Sequence, residues 1–224
     1  MSIYLLAKIL LLLNFWGLNS NPDSQVAHAV LSPMQTLQAG NERFVNGNSI
    51  HPHENLERIR ELRKGQHPFV VVVSCSDSRV PPELIFDQGL GDIFSVRTAG
   101  NVIGDYELGS IEYAVEHLGC KLVVVLGHED CGAVKAYLHA GGHYRHKDHI
   151  KSLIDHIALE EEERELPEEY RHDLSHAIQA NMLHGVHTLL ESDPVMRPLC
   201  ANKQVQVVGA LYHMSTGHVT FFEK

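Results

Sequence analysis

Residues 69–75 read FVVVVSC, and this stretch decides the fold. Its apolar run is too continuous and too rich in β-branched residues for a strand with one face in water, so we expect both of its faces to be covered. A strand of that kind lies in the middle of a parallel sheet that has helices on both sides. The sequence therefore predicts an α/β domain built around this strand.

The other strands and the helices follow from the apolar pattern on either side of this stretch. Strand patterns cover residues 92–97, 122–126, 205–211 and 218–222, the last of them after a turn that favours an antiparallel edge. Helical spacing covers residues 32–64 as two helices, 107–118, and 148–192 with a break at Pro167. Because a strand, a helix and a strand in succession form a right-handed parallel crossover, we expect about four parallel strands plus one antiparallel edge strand, flanked by helices.

Composition describes an acidic globular domain. The chain has 224 residues, of which 44% are hydrophobic, and 18 basic against 28 acidic side chains give a net charge of −10. Proteins that bind nucleic acid or anionic membranes rely on summed positive charge, so neither partner is expected. Four cysteines are too few for a disulfide scaffold in a chain of this length, and we expect any special cysteine to have a chemical role.

The first twenty residues do not fit the domain. Lys8 precedes an apolar run over residues 9–18, and residues 19–22 are polar or proline. Such a run is typical of a cleavable secretory signal peptide, with an uncleaved membrane anchor as the alternative. The pattern predicts a signal peptide over residues 1–20, a domain over residues 21–224, and a periplasmic or secreted protein without membrane contact after cleavage.

Two short motifs follow the first and third predicted strands. Residues 75–79 read CSDSR, and residues 127–132 read GHEDCG. Because parallel strands end at the same edge of a sheet, we expect Cys75, His128 and Cys131 to lie together there. Two thiolates and an imidazole suit zinc, and three protein ligands leave a fourth position open, which is the arrangement of a catalytic site.

Other interpretations of the cysteines stay open. Cys75 and Cys131 could be small buried hydrophobic residues, or they could form a disulfide in an exported protein. Neither interpretation gives a purpose to the polar residues beside them in the two motifs. Cys120 and Cys200 have no such neighbours, and we interpret them as core residues, with a structural disulfide as the alternative.

The two motifs resemble the zinc signature of the β-class carbonic anhydrases, and the likeness runs from about residue 31 to residue 222. It implies the fold of that family, with one Zn²⁺ per chain held by Cys75, His128 and Cys131. It also implies reversible hydration of carbon dioxide to bicarbonate by a zinc-bound hydroxide, in a homodimer or homotetramer. Asp77 and Arg79 would form a dyad beside the metal-bound water.

The role of this dyad can be argued from charge. Two thiolates and a neutral imidazole cancel a zinc dication, so such a metal is a weaker Lewis acid than one held by three histidines. Asp77 can accept a hydrogen bond from the hydroxide and orient it, and Arg79 can clamp Asp77 by paired charge-assisted bonds. Without that clamp, Asp77 becomes a conditional fourth ligand that closes the site. An ordinary surface ion pair is the alternative.

The resemblance also implies substrate-binding positions. Gln66, Phe94 and Tyr113 match the pocket of the plant-like branch of the family, Gly132 follows the last zinc ligand, and Ala99 stands where that branch has a larger aliphatic residue. Taken alone, Gln66 is a loop residue and the two aromatic residues are typical of a core.

A single residue bears on whether the zinc site is open. The regulated branch of the family has a tryptophan shortly before the first ligand, and Val72 stands at that place here. Because Gln66 and Tyr113 match the other branch, we expect water as the fourth zinc ligand near neutral pH, with Asp77 bonded to Arg79.

Seventeen histidines are the unusual feature of the composition. Five cluster after the third predicted strand and two pairs have helical spacing: His139, His143, His146, His149, His156, His172/His176 and His184/His187. They could bind a second metal or shuttle protons, but no further ligand completes a site, so we interpret them as a solvated face. The four glutamates of residues 160–163 are interpreted in the same way, as an exposed helix face.

Two other functions would use part of these observations. A zinc hydrolase of a similar linear substrate, carbon disulfide or carbonyl sulfide, keeps the metal and differs in access to the pocket. A periplasmic zinc-buffering protein would instead use the histidines.

Overall fold

The computed structural model describes residues 31–141, 144 and 148–222. The predicted signal peptide, residues 1–20, lies outside these ranges, and so do residues 21–30 of the predicted domain, His143 and His146. Within the described ranges, no helix combines the length and the apolar character that a membrane span requires.

A five-stranded sheet forms the centre of the fold. Its strands are β1 Val70–Cys75, β2 Ile93–Thr98, β3 Leu122–His128, β4 Gln206–Tyr212 and β5 Val219–Phe222. They lie in the order β2-β1-β3-β4-β5, and all neighbouring pairs are parallel except the antiparallel pair of β4 and β5. The predicted architecture of four parallel strands and one antiparallel edge strand is confirmed.

Helices flank the sheet. Those of the described residues are α1 Pro33–Val45, α2 Leu56–Leu62, α3 Pro82–Ile85, α4 Asp105–His117, α5 Gly132–Ala140, α6 Ile150–Leu159, α7 Glu161–Glu165, α8 Leu174–Glu191 and α9 Met196–Ala201. A short 3₁₀ turn, Ala99–Asn101, directly follows β2.

The two central strands are buried on both sides. Every residue of β1 and β3 is buried. Successive side chains of a strand point to opposite faces, so Val70 and Val72 join one hydrophobic core and Val71 and Val73 join the other. The continuous apolar run therefore arises from a strand that is covered on both faces, as predicted.

The helical region after α5 differs from its prediction. The expected break at Pro167 is preceded by another at Glu160, where the backbone leaves the helical conformation with ψ of 130°. This turn directs part of the acidic run inward, and Glu160 and Glu163 expose only 2% and 3% of their surface. The expectation that residues 160–163 form an exposed helix face is therefore wrong for these two glutamates.

Candidate metal centre

Three metal-binding side chains meet at the carboxyl edge of the sheet. Cys75 ends β1, His128 ends the adjacent strand β3, and Cys131 directly precedes α5. All three are buried, and one possible ligand atom from each lies within 4.8 Å of the other two. Residues that are distant in the sequence meet here because two neighbouring parallel strands end at this edge. We call them the sheet-edge cluster.

The imidazole of His128 has one ring nitrogen fixed and the other without a partner. Nδ1 donates to the carbonyl oxygen of Glu129 at 2.8 Å. Nε2 is buried and has no hydrogen-bond partner among the described residues. A buried ring nitrogen of this kind is costly unless another group binds it, and a metal-ligating histidine commonly donates its other nitrogen to a carbonyl. The geometry of His128 therefore fits a metal ligand.

Backbone N–H groups stabilise negative charge on both sulfurs. Sγ of Cys75 accepts hydrogen bonds from the N–H groups of Asp77 at 3.4 Å and Gly100 at 3.3 Å. At Cys131 the N–H groups of residues 133 and 134, at the start of α5, favour the thiolate, although the bond with Cys75 and burial outweigh them and raise the pKa of Cys131 overall. Thiolates are favoured near the N-terminus of a helix, where unpaired N–H groups point outward.

The two thiols also share a proton. A hydrogen bond from Cys131 lowers the pKa of Cys75 to about 4, although burial acts in the opposite direction. The same bond, together with burial, raises the pKa of Cys131. A divalent cation would replace this proton and compensate the charge of two thiolates. The four cysteines of the chain are free thiols, so the disulfide interpretations are wrong.

Asp77 and Arg79 form a paired ion bridge on the loop after β1. Oδ1 of Asp77 accepts hydrogen bonds from the backbone N–H and from Nε of Arg79, both at 2.9 Å, and Oδ2 accepts one from Nη2 at 2.7 Å. The guanidinium holds the pKa of the Asp77 carboxyl well below its usual range. The carboxylate is therefore charged at neutral pH and held in one orientation.

A second arginine, Arg97 on β2, fixes the backbone of the same loop. Its Nε and Nη2 donate to the carbonyl oxygen of Cys75 at 3.0 and 2.9 Å, and Nη2 also donates to that of Asp77 at 2.7 Å. Arg97 is not among the site residues predicted from the sequence. Its position could have pointed to the site, because Arg97 lies one residue before the end of β2 and pairs in register with Ser74, next to Cys75.

Two of the predicted substrate-binding residues lie beside the sheet-edge cluster. Ala99 precedes Gly100, whose N–H donates to Sγ of Cys75. Gly132 follows Cys131 and is exposed, and a Cβ built on it would meet nothing within 4 Å. The space next to this ligand is therefore open to a small molecule.

The other three predicted pocket residues lie away from the cluster of their own chain. Gln66 is exposed and precedes β1, at the edge of the sheet opposite Cys75. Phe94 pairs in register with Val71, four residues or about 13 Å along the strand from Cys75. Its ring centroid lies 6.5 Å from that of Tyr113, a residue of α4 that is 49% exposed.

The matched family model and the sequence relatives point to the same protein family. The family model described as carbonic anhydrase matches residues 70–219. A carbonic anhydrase of Mycolicibacterium smegmatis is 39% identical over 212 residues, which cover 90% of this chain and 93% of that protein.

Solved structures show the same fold. The β-carbonic anhydrase CcaA superposes with a TM-score of 0.64 at 28% identity, covering 86% of this chain and 89% of that one. The β-carbonic anhydrase of Coccomyxa, solved in complex with acetazolamide, has a TM-score of 0.64 at 27% identity, with 88% and 87% covered. Together with the matched family model, these likenesses show that the chain belongs to the β-class carbonic anhydrases.

Proposed function

We propose that this chain catalyses the reversible hydration of carbon dioxide to bicarbonate and a proton, with one zinc ion held by Cys75, His128 and Cys131. The observation that carries the proposal is the buried, unpartnered Nε2 of His128 beside the two cysteines. The donor set matches zinc in type and number and leaves a fourth position. When bound, zinc supplies a Lewis acid that lowers the pKa of a coordinated water.

Asp77 orients the reacting water. Oδ1 of Asp77 already accepts two hydrogen bonds from Arg79, whereas Oδ2 accepts one. Oδ2 can therefore accept one more hydrogen bond, from an O–H group of the reacting water. That bond orients the water, so that a lone pair of its oxygen points toward the substrate. Arg79 keeps both carboxylate oxygens engaged, so Asp77 does not itself become a ligand.

A second copy of the chain completes the substrate pocket. The resemblance assigns Gln66, Phe94 and Tyr113 to the pocket, yet these residues lie away from the cluster of their own chain. Gln66 and Tyr113 are exposed and accessible to another molecule. In a symmetric dimer the same surface of each copy contacts the other, so each copy would contribute these residues to its partner's cluster.

A complementation experiment tests this arrangement. Cys75→Ser and Gln66→Leu variants should each hydrate carbon dioxide poorly. Co-expression of the two yields mixed dimers in which one of the two pockets has both residues intact, so random pairing should restore about a quarter of the wild-type rate. Absence of any recovery in a verified mixed dimer would show that Gln66 does not act across the interface.

The reaction itself is tested by measuring zinc content and carbon dioxide hydration on the same purified protein. The proposal expects hydration that disappears with chelation of zinc and returns when zinc is restored. Carbon disulfide and carbonyl sulfide are measured alongside, because a preference for either would favour the hydrolase. Zinc binding without turnover of any of the three substrates would favour the buffering protein.

Export is part of the proposed function. It is supported by the apolar run over residues 9–18 after Lys8, which is typical of a signal peptide. Amino-terminal sequencing of the protein from its native cell should find a first residue between Asn19 and Gln25. An intact Met1 on cytoplasmic protein would contradict export.

A further inference from the structure

A second group of metal-binding side chains lies among the helices, apart from the sheet-edge cluster. His156 belongs to α6, Glu160 stands at the turn between α6 and α7, and His184 belongs to α8. One possible ligand atom from each lies within 4.8 Å of the other two. We call these residues the helical cluster.

One carboxyl oxygen of Glu160 lacks a partner. The residue is 2% exposed, and its Oε2 is buried with no hydrogen-bond partner among the described residues. A buried carboxyl in this position needs either a proton or a cation, because an unpaired buried carboxylate is strongly unfavourable.

The ring of His184 is held by a carboxylate. Nδ1 of His184 lies 2.7 Å from Oε2 of Glu162, and Nδ1 of His187 contacts the other oxygen of the same carboxylate. A carboxylate behind a histidine fixes the ring and raises its basicity, as in many metal sites. Nε2 of His184 then accepts a hydrogen bond from the Thr188 hydroxyl at 3.4 Å, a long contact that a cation would replace.

His156 faces the other histidine of the cluster. Its side chain is partly buried. The rings of His156 and His184 lie edge to face with their centroids 6.2 Å apart.

We infer that His156, Glu160 and His184 form a second metal site, which takes zinc or a divalent cation of similar preference. The observation that points to a cation is the buried, unpartnered oxygen of Glu160, on a carboxyl group that has a ligand atom within 4.8 Å of both histidines. Two histidines and one glutamate are an established zinc donor set, and the absence of sulfur from the helical cluster distinguishes it from the sheet-edge cluster. The carboxylate of Glu162, which contacts His184, favours a positive charge there.

A cation at this place would tie α6 to α8. Ile157, next to His156, joins the hydrophobic core that also contains Cys75 and Cys131. A Cβ built on Gly100 would lie 3.5 Å from Cδ1 of Ile157, and Gly100 is the residue whose N–H donates to Sγ of Cys75. We therefore expect the second metal to stabilise the fold behind the first site without taking part in hydration.

The test counts zinc bound per chain. Full-length mature protein is loaded with excess Zn²⁺ alone, desalted and analysed for metal by mass spectrometry. Glu160→Gln keeps the size of the side chain and mimics its protonated form, so this variant should fold. It should bind one zinc fewer than the wild type and hydrate carbon dioxide at the wild-type rate. His172→Gln, which changes an exposed histidine outside the cluster, should match the wild type.

Two further measurements test the assignment. Glu162→Gln should weaken the second zinc by about 10- to 100-fold rather than abolish it, because this residue holds a ligand and is not one itself. A Cys75→Ser/Cys131→Ser protein should still bind zinc at the helical cluster, which separates this inference from the proposed function. Equal zinc counts in Glu160→Gln and wild type, or zinc-soaked crystals without anomalous density between His156 and His184, would overturn it.

Discussion

The sheet-edge cluster and the helical cluster each place three possible ligand atoms within 4.8 Å, but different parts of the fold hold them. Cys75 and His128 end neighbouring parallel strands, so the backbone ladder sets their separation. His156 and His184 belong to two helices, whose separation depends on side-chain packing and on a turn at Glu160. Sheet hydrogen bonds therefore position two of the three ligands of the sheet-edge cluster, whereas helix packing positions those of the helical cluster.

The donors differ as well. The sheet-edge cluster has two cysteines whose sulfurs receive backbone N–H groups. The helical cluster has a glutamate that is buried without a hydrogen bond to one of its oxygens. The first arrangement stabilises negative charge before any metal arrives, whereas the second leaves that task to the cation. The two sites should accordingly differ in their metal affinity and in their effect on catalysis.

The largest expected effect separates the two clusters by function. Cys75→Ser or Cys131→Ser should remove all measurable carbon dioxide hydration and the zinc of the sheet-edge cluster, because a hydroxyl is a poor ligand where a thiolate is needed. His128→Ala should behave in the same way. Zinc analysis and stopped-flow hydration assays measure both effects.

Cys120→Ser is the matched control for this prediction. Cys120 is also buried, but its Sγ donates to the carbonyl oxygen of Pro68, outside both clusters. The control should keep the zinc and the wild-type rate. A Cys75→Ser protein that retains full activity without zinc would refute the metal mechanism.

The second effect tests whether the clamp keeps the sheet-edge site open. Arg79→Ala removes the two side-chain hydrogen bonds to Asp77 and keeps the bond from the backbone N–H. Loss of the guanidinium should let the carboxylate turn toward the metal. We expect hydration to fall by about 10- to 100-fold, the usual cost of losing a partner behind a metal site. A zinc-loaded crystal of the variant near neutral pH should have Asp77 as the fourth ligand.

The same clamp gives a pH expectation for the wild type. Arg79 lowers the pKa of Asp77, so the stability of the ion pair is present above the ordinary pKa of 3.8 and is lost only as pH falls through the lowered value. Asp77 thus stays charged and bonded across the neutral range, and the rate should change shallowly with pH. A steep cooperative fall below about pH 8, or Asp77 on the metal in a wild-type crystal, would place the chain in the regulated branch.

The third effect concerns the glutamates around the helical cluster. Burial raises the pKa of Glu163 to about 8, from an ordinary value of 4.5. Its contribution to stability is therefore full below pH 4.5 and is lost as pH rises through about 8. Compared with Glu163→Gln, the free energy of unfolding of the wild type should fall by on the order of 3 kcal/mol between pH 5 and 8. Urea unfolding in a chelating buffer measures it, and parallel pH curves would contradict it.

The smallest effect on catalysis is expected from the histidines outside both clusters. Replacement of His139, His143, His146 and His149 by glutamine should leave hydration unchanged. His139 and His149 belong to neither cluster, and His143 and His146 lie outside the described residues. Weak zinc binding by the protein should decrease. A collapse of hydration in this variant would instead favour a role for these histidines in proton transfer.

The sheet-edge cluster could be found from the sequence because local patterns carry it. Residues 69–75 identify a buried strand, and the residues that end such a strand must lie at its carboxyl edge. The motif after the third strand, with His128 three residues before Cys131, then identifies the remaining two ligands. The role of Arg97 could not be predicted in this way, because the sequence around an arginine within a strand does not indicate which carbonyl oxygen it binds.

The helical cluster could not be found in that way. Four consecutive glutamates are typical of a solvated helix, and only the break at Glu160 directs two of them inward. The cluster joins residues of α6 and α8 that are distant in the sequence, and no local pattern predicts their separation. The role of Gln66 is difficult to predict for a related reason. Its proposed site is the sheet-edge cluster of another copy of the chain, and the pattern of one sequence does not show contacts between copies.

The loop after β1 has two arginines with separate tasks. Arg97 binds the carbonyl oxygens of Cys75 and Asp77 and so sets where the loop lies, whereas Arg79 binds the carboxylate and sets where it points. For enzyme engineering this is a useful division. Libraries at position 79 can vary the acid–base behaviour of the site while the loop keeps its place, and a change at position 97 is the one that would need compensating mutations elsewhere.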